Sequence, residues 1–179
     1  MGNKNNNKNV LIEAESFEDF GGWKMDSQFI DLMGSPYLIA HGHGNPVAPA
    51  TTTVTLPDTG RWFIWVRTKN WVDGDFEAPG RFKLAVNERE LPEIFGTQSA
   101  EWGWENGATI DIEKTELKLS LIDLTGFDGR CDAILFTQDE SLVPDNSSEP
   151  MCEWRRNYGN VVDDLEEQFD LVVVGGGIA

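Results

Sequence analysis

The stretch ELKLSLIDL, residues 116–124, carries the pattern that decides the fold. Leu117, Leu119 and Leu121 alternate with polar residues along it. Because successive side chains of a β-strand point to opposite faces of the sheet, the three leucines would form one apolar face. The stretch is therefore predicted to be a strand with one buried face.

Short stretches of the same character recur along the first three quarters of the chain. In RFKLAVN, residues 81–87, Phe82, Leu84 and Val86 share one face. The other candidate strands are VLIEAES (10–16), QFIDLM (28–33), TTTVTL (51–56), RWFIWVRTK (61–69), ATIDIE (108–113) and CDAILFTQ (131–138). Turn-forming residues cluster between them. We predict an all-β protein, a β-sandwich of jelly-roll type.

Composition divides the chain into four parts. Residues 1–9 are polar and rich in asparagine, and they are predicted to be a disordered leader. Residues 10–139 contain the candidate strands and form the predicted sandwich. Residues 140–168 are polar and acidic and are predicted to be a linker, whereas residues 169–179 are predicted to begin a second domain.

The chain is strongly acidic, with 14 Lys and Arg residues against 31 Asp and Glu residues and a formal charge of −17. This charge repels phosphate backbones and anionic membrane surfaces, so the composition argues against nucleic acid and membranes as partners and favours a cation. No stretch approaches the ~20 apolar residues that cross a bilayer. Cys131 and Cys152 lack zinc-ligand spacing and are too few to define a disulfide framework, which leaves their redox state open.

The first candidate strand contains a pair of carboxylates. Glu13 and Glu15 are two residues apart and would share one face of the strand, whereas Ala14 would take the other. Two neighbouring carboxylates repel each other unless water solvates them or a cation neutralises them, and an oxygen-liganded ion such as calcium suits them. The residues alone leave both possibilities open.

Histidine and nucleophile patterns give little indication of catalysis. His41 and His43 lie in the glycine-rich stretch AHGHGNP, residues 40–46, which is predicted to be a loop because a transition metal would need further ligands. The sequence has no Gly-x-Ser-x-Gly elbow around a nucleophilic serine. We predict that this chain is not itself an enzyme.

Three stretches resemble a known family: IEAESF (12–17), TVTLPDTGRWFIWVRTKN (53–70) and GRCDAILFTQD (129–139). They are similar to the β-sandwich carbohydrate-binding modules of the calcium-binding group, families 6 and 35, over about residues 10–139. The resemblance implies that Glu13, Glu15 and Asp132 jointly hold a structural calcium ion between the first and last strands. It also implies a glycan ligand and a periplasmic or extracellular location.

Tryptophan is abundant, with seven residues in the chain, and its planar apolar face can stack on a pyranose ring. Trp62 and Trp65 lie in a stretch that is apolar on both faces and are predicted to pack in the core. In the family that the chain resembles, loops at one end of the sandwich carry the sugar site, which is built from aromatic residues and polar partners that include an asparagine. The resemblance therefore implies a sugar site at Trp71, Trp102 and Asn106.

The final stretch, FDLVVVGGGIA (169–179), resembles the beginning of the FAD-binding domain of flavin-dependent oxidoreductases. Gly175 and Gly177 would be the first two glycines of the fingerprint at the turn that receives a pyrophosphate. The third glycine and the helix are missing, so we expect FAD only in a full-length parent. The module would serve that covalently linked oxidoreductase by binding glycan, or alternatively would dock on it without binding sugar.

Overall fold

The structure, a computed structural model, describes residues 9–72, 74 and 77–159. The first eight residues of the predicted leader and the glycine-rich stretch 169–179 lie outside the described residues. The strands are β1 Asn9–Glu13, β2 Lys24–Asp26, β3 Tyr37–His41, β4 Ala50–Thr55, β5 Gly60–Thr68, β6 Phe82–Val86, β7 Arg89–Glu90, β8 Gly103–Ile112, β9 Glu116–Asp123 and β10 Phe127–Thr137. The α-helices are α1 Ile30–Met33 and α2 Ser148–Tyr158.

The strands form two antiparallel sheets. The larger sheet has the order β2-β3-β10-β5-β8, with β1 also paired to β10, and the smaller sheet has the order β4-β9-β6-β7. β1 and β3 share one edge of β10: β1 pairs with residues 133–137 and β3 with residues 127–131. The predicted all-β jelly-roll sandwich is confirmed.

Alternation within the strands places the core between the two sheets. Leu117, Leu119 and Leu121 of β9 are buried in it, as the sequence predicts, together with Phe82 and Leu84 of β6. Trp62 of β5 is fully buried in the same core, as predicted. Each buried side chain of this size stabilises the fold by about 1.5–3 kcal/mol relative to an exposed one.

The predicted strand at residues 28–33 is wrong, because this segment forms the short helix α1. Gly34 ends the helix in the left-handed conformation, with φ of 75°, and donates its N–H to the carbonyl oxygen of Ile30. Glycine adopts this conformation without the steric cost that a side chain would add. Ile30 and Leu32 remain exposed, so the apolar residues of this segment do not mark a buried strand face.

Part of the predicted linker, residues 140–168, is also structured. Residues 148–158 form α2, which packs against the outer face of the larger sheet. Trp154 and Tyr158 of α2 lie with Trp65 of β5 over a small cluster of buried residues, namely Leu11, Ala133 and Leu135. Trp65 is therefore partly buried beneath the helix and not in the core between the sheets.

A bulge in β10 determines where Asp132 points. The pairing with β5 shifts register between Cys131 and Ala133, which makes Asp132 an extra residue in the strand. Cys131 lies in the core between the sheets, whereas Ala133 packs on the outer side beneath α2. In a bulge, two successive residues of one strand lie opposite a single residue of the partner strand, so Asp132 joins Ala133 on the outer side.

Within the described residues, no helix is both long and apolar enough to cross a membrane.

Candidate functional site

The candidate cation site lies in the gap between β1 and β3 along the shared edge of β10. Glu13 is the last residue of β1 and pairs with Ala133, next to Asp132. The sequence predicted Glu15 on the same strand as Glu13, but residues 14–16 form a 3₁₀ turn directly after β1. The turn nevertheless brings its carboxylate to the other two, and one oxygen from each of the three residues lies within 4.8 Å of the others.

In two of these carboxylates, one oxygen has no partner among the residues that the structure describes. These oxygens, Oε2 of Glu13 and Oε2 of Glu15, are buried and accept no hydrogen bond from those residues. Leaving a buried acceptor unsatisfied costs about 1–3 kcal/mol, and more for a charged group. A bound cation or a proton would remove this cost.

Asp132 is fully buried and is held by an ion pair within the sheet. Its Oδ2 accepts a hydrogen bond of 2.6 Å from Nη1 of Arg67 on β5, whose side chain is only 4% exposed. Its Oδ1 accepts a bond of 3.0 Å from the hydroxyl of Ser35. Nε of Arg67 in turn donates to Oδ1 of Asn146, 3.1 Å away, just before α2.

A second arginine, Arg155 of α2, reaches the same carboxylates from the other side. Its Nε donates to Oε1 of Glu13 at 2.6 Å, and its Nη2 lies 3.3 Å from Oδ2 of Asp132. The remaining donors reach the carbonyl oxygen of Met33 at 2.6 Å and the hydroxyl of Ser35 at 2.7 Å. The three carboxylates therefore face two guanidinium groups.

Burial and mutual repulsion change the acidity of the two glutamates. Burial raises the pKa of Glu13 to about 7, and the neighbouring Arg155 offsets part of this rise. Burial and then the negative charge of Glu13 raise the pKa of Glu15 to about 8. Both carboxyl groups thus hold a proton more tightly than in the unfolded chain when no metal ion is present.

These shifts predict a pH dependence of stability in protein treated with a chelator. A carboxyl group with a raised pKa in the folded state contributes stability at low pH, and this contribution is lost as the pH rises from about 4.5 to about 8. One unit of pKa shift corresponds to about 1.4 kcal/mol, so we expect the free energy of unfolding in urea to fall by several kcal/mol across this window. Glu15→Gln should reduce the fall, and an equal fall in the variant and wild type would contradict the role of Glu15.

A second surface lies at the end of the sandwich where β3 and β5 end and β10 begins. We call it the Trp71 patch, and define it as Trp71, Phe127, His41 and Asp128. Trp71 is 40% exposed and Phe127 is 51% exposed. The indole Nε1 of Trp71 donates to the backbone carbonyl oxygen of Phe127 at 2.9 Å, which holds Trp71 next to the start of β10.

Charged and polar groups surround these aromatic rings. The guanidinium carbon of Arg130 lies 5.6 Å from the centroid of the Trp71 ring, within the range of a cation–π contact. His41 pairs with Phe127 across β3 and β10, and its Nδ1 forms a hydrogen bond with Oδ1 of Asp128. The patch thus combines apolar ring surface with hydrogen-bonding groups, as sugar sites require. The sequence predicted both histidines in a loop. His43 lies in a turn, but His41 is the last residue of β3.

The structure buries Trp102, which was predicted as a sugar-binding residue. Its side chain is only 7% exposed because it packs against Tyr37, with ring centroids 4.9 Å apart, and against Phe29, at 6.0 Å. Arg67 lies over its ring, 6.0 Å from the centroid. Trp102 therefore presents no free indole face to a sugar.

Asn106 does not join Trp71 either. It lies on β8, not in a loop, and pairs with Trp65. Trp65 lies three residues before the end of β5, whereas Trp71 lies three residues beyond that end. At about 3.3 Å per residue, Asn106 is therefore roughly 10 Å below the end of the sheet. Gly175 and Gly177, the predicted fingerprint glycines, lie outside the described residues.

Sequence reasoning missed several residues of these candidate sites, among them Phe127 and Arg155. Phe127 follows the turn residue Gly126, a position where an apolar side chain serves no buried strand face. Arg155 lies in a segment whose Met151, Trp154 and Tyr158 follow helical spacing, and this pattern could have predicted α2.

Comparison with solved structures places the fold among known modules. No protein-family model matches the chain, and no curated protein matches it. The family 6 carbohydrate-binding module of LamC, a marine laminarinase from Zobellia galactanivorans, is 18% identical with a TM-score of 0.53 and covers 73% of this chain and 99% of its own. A family 35 module from Clostridium thermocellum is 15% identical with a TM-score of 0.57 and covers 72% and 96%. A CBM36 domain of a multidomain xylanase from the hindgut metagenome of Trinervitermes trinervoides is 11% identical with a TM-score of 0.56 and covers 73% and 98%. This chain therefore has the jelly-roll fold that these carbohydrate-binding modules share.

Proposed function

We propose that this chain is a non-catalytic carbohydrate-binding accessory module. The observation that carries the proposal is the Trp71 patch, where exposed Trp71 bonds the backbone of a second exposed aromatic residue, Phe127, at one end of the sandwich. The similarity of fold to carbohydrate-binding modules supports it. The C–H face of a pyranose would stack on Trp71 or Phe127, while His41 and Asp128 would bond its hydroxyl groups.

We expect this binding to be weak but selective. A single sugar ring buries little apolar area and gives up water from each hydroxyl, so its dissociation constant should lie between about a millimolar and tens of micromolar. Neutral glycans are the first choice, because the net charge of −17 repels acidic polysaccharides unless a cation bridges them.

The proposal is tested by titrating neutral and uronic-acid oligosaccharides, with and without calcium, while following tryptophan fluorescence. Trp71→Ala should weaken binding by about tenfold or more, because it removes the larger exposed ring. Asn106→Ala is the matched control and should bind as wild type does, because this residue lies away from the patch. Saturable binding that survives Trp71→Ala and Phe127→Ala but is lost in Asn106→Ala would place the sugar elsewhere.

We further propose that Glu13, Glu15 and Asp132 hold a structural calcium ion. The two unpartnered glutamate oxygens support this assignment, since carboxylate oxygens are the ligands that calcium prefers. When bound, the ion would supply positive charge that links the end of β1 and the following turn to β10. It would thereby tie the first strand of the sandwich to the last.

The accessory role is proposed from the final eleven residues of the sequence. The apolar stretch and the three glycines from Gly175 to Gly177 resemble the beginning of an FAD-binding domain, so we propose a flavin-dependent oxidoreductase as the covalently linked partner. The alternative is a domain that docks on the oxidoreductase without binding sugar. Such docking would use an exposed apolar surface, and Met25 of β2 and Ile30 and Leu32 of α1 are exposed. A folded protein that binds no glycan in the titration would favour this alternative.

A further inference from the structure

α2 is attached to the sandwich through the same carboxylates that would hold the cation. Arg155 is the residue of α2 that bonds both Glu13 and Asp132. Each of these two carboxylates therefore faces the helix with one oxygen while it also belongs to the three-carboxylate cluster. The apolar contacts of Trp154 and Tyr158 hold the helix as well, but they have no charge.

A cation at this cluster would lie close to the guanidinium group. Nε of Arg155 lies 2.6 Å from Oε1 of Glu13, and the unpartnered oxygen belongs to the same carboxylate. Calcium binds oxygen at about 2.3–2.6 Å, so an ion on that second oxygen would lie within roughly 7 Å of the Arg155 nitrogen. The guanidinium and the ion are both positive and therefore repel each other.

We propose that α2 is a cation-sensitive strap, in which Arg155 and a divalent cation oppose each other at Glu13 and Asp132. The inference rests on the calcium site proposed above. Between charges of +1 and +2 at this distance, Coulomb repulsion corresponds to roughly tenfold or more in a binding constant at an effective dielectric constant below that of water. By thermodynamic linkage, calcium must weaken the docking of α2 by the same factor by which Arg155 weakens calcium binding.

Arg67 does not share this role, although it bonds Asp132 as well. Arg67 lies within β5, between β8 and β10, and its side chain is buried. Arg155, by contrast, lies near the end of a helix that contacts the sandwich from outside. Residues 160–179 follow this helix in the sequence.

The test measures calcium affinity by calorimetry in the full chain and in three variants. Arg155→Gln removes the charge and should tighten calcium binding by about tenfold or more, whereas Arg155→Lys keeps the charge and should bind as wild type does. Arg156→Gln is the matched control, because Arg156 is the exposed neighbour on the same helix. It should change the affinity by less than about threefold, since an exposed charge is screened by solvent and salt.

Hydrogen exchange of residues 151–159 supplies the second measurement. Calcium should accelerate exchange of these amides in wild type by the same factor by which Arg155→Gln tightens calcium binding. Calcium should have little effect on exchange in that variant. Calcium binding that is unchanged or weaker in Arg155→Gln, or equally tightened in Arg156→Gln, would overturn the strap while leaving the calcium site intact. Absence of calcium binding in wild type and all variants would instead overturn the calcium site itself, and the strap with it.

Discussion

Replacing Asp132 by alanine is expected to lower the free energy of unfolding by about 3–5 kcal/mol. The carboxylate is fully buried and bonds Arg67, whose side chain is also buried. Without its partner, the Arg67 guanidinium would remain inside the protein with an uncompensated charge, which costs far more than the loss of an exposed ion pair. Ser35 and Arg155 would lose bonds to the same carboxylate.

Chemical denaturation of wild type and variants measures this effect. Asp132→Asn keeps the volume and an acceptor oxygen for Arg67, so its loss should be smaller than that of the alanine variant. Asp111→Ala is the matched control, because Asp111 forms an exposed ion pair with Arg61 at 3.5 Å and should contribute less than about 1 kcal/mol. Equal stability of Asp132→Ala and Asp111→Ala would show that the buried pair does not hold the sheet.

The fold was predictable because its signal is local. The alternation of Leu117, Leu119 and Leu121 depends only on the period of a strand, and the structure buries all three. The segment around Ile30 and Leu32 has apolar residues without a buried face, and here the same reasoning predicted a strand where a helix forms. Strands were predicted correctly where apolar and polar residues alternate clearly, and wrongly where this alternation is weak.

The candidate cation site was only partly predictable. Its three carboxylates follow from a family resemblance, but alternation cannot place Asp132 on the outer side of the sheet, because a bulge in β10 sets its direction. Arg155 is 142 residues from Glu13 in the sequence, so no local pattern relates the two. The polar composition of its segment indicated a linker, and tertiary packing of Trp154 and Tyr158 outweighed that indication.

The sugar site shows the same limit of sequence reasoning. Trp71 and Trp102 both follow turn-rich or polar stretches, and nothing near them in the sequence distinguishes them. Only the fold brings Tyr37 and Phe29 onto Trp102, which removes it from the surface, and brings the backbone of Phe127 to the indole of Trp71. Residues that are distant in the sequence decide whether an aromatic side chain is covered, so its exposure follows from the structure and not from its local sequence.

Removing calcium is expected to lower the melting temperature of the module by roughly 5–10 °C. A ligand that binds only the folded state stabilises it by about 2.7 kcal/mol when its free concentration is a hundredfold above its dissociation constant. The ion would neutralise the unpartnered oxygens of Glu13 and Glu15. Folding brings these carboxylates close to Asp132, so the unfolded chain has no comparable binding site. Calorimetric melting in millimolar calcium and in a chelator measures the difference.

The decisive variant is Glu15→Gln, because it removes one ligand charge at little cost to the fold. The pKa of Glu15 is raised to about 8, so the metal-free folded protein already favours the neutral carboxylic acid, which glutamine resembles in shape. Its melting temperature in chelator should therefore match or exceed that of wild type, while the response to calcium should be lost. Asp111→Asn, which changes an exposed carboxylate, should keep the full response. If wild type melts at the same temperature in chelator and in millimolar calcium, the three carboxylates hold no structural ion, and Arg67 and Arg155 alone balance their charge.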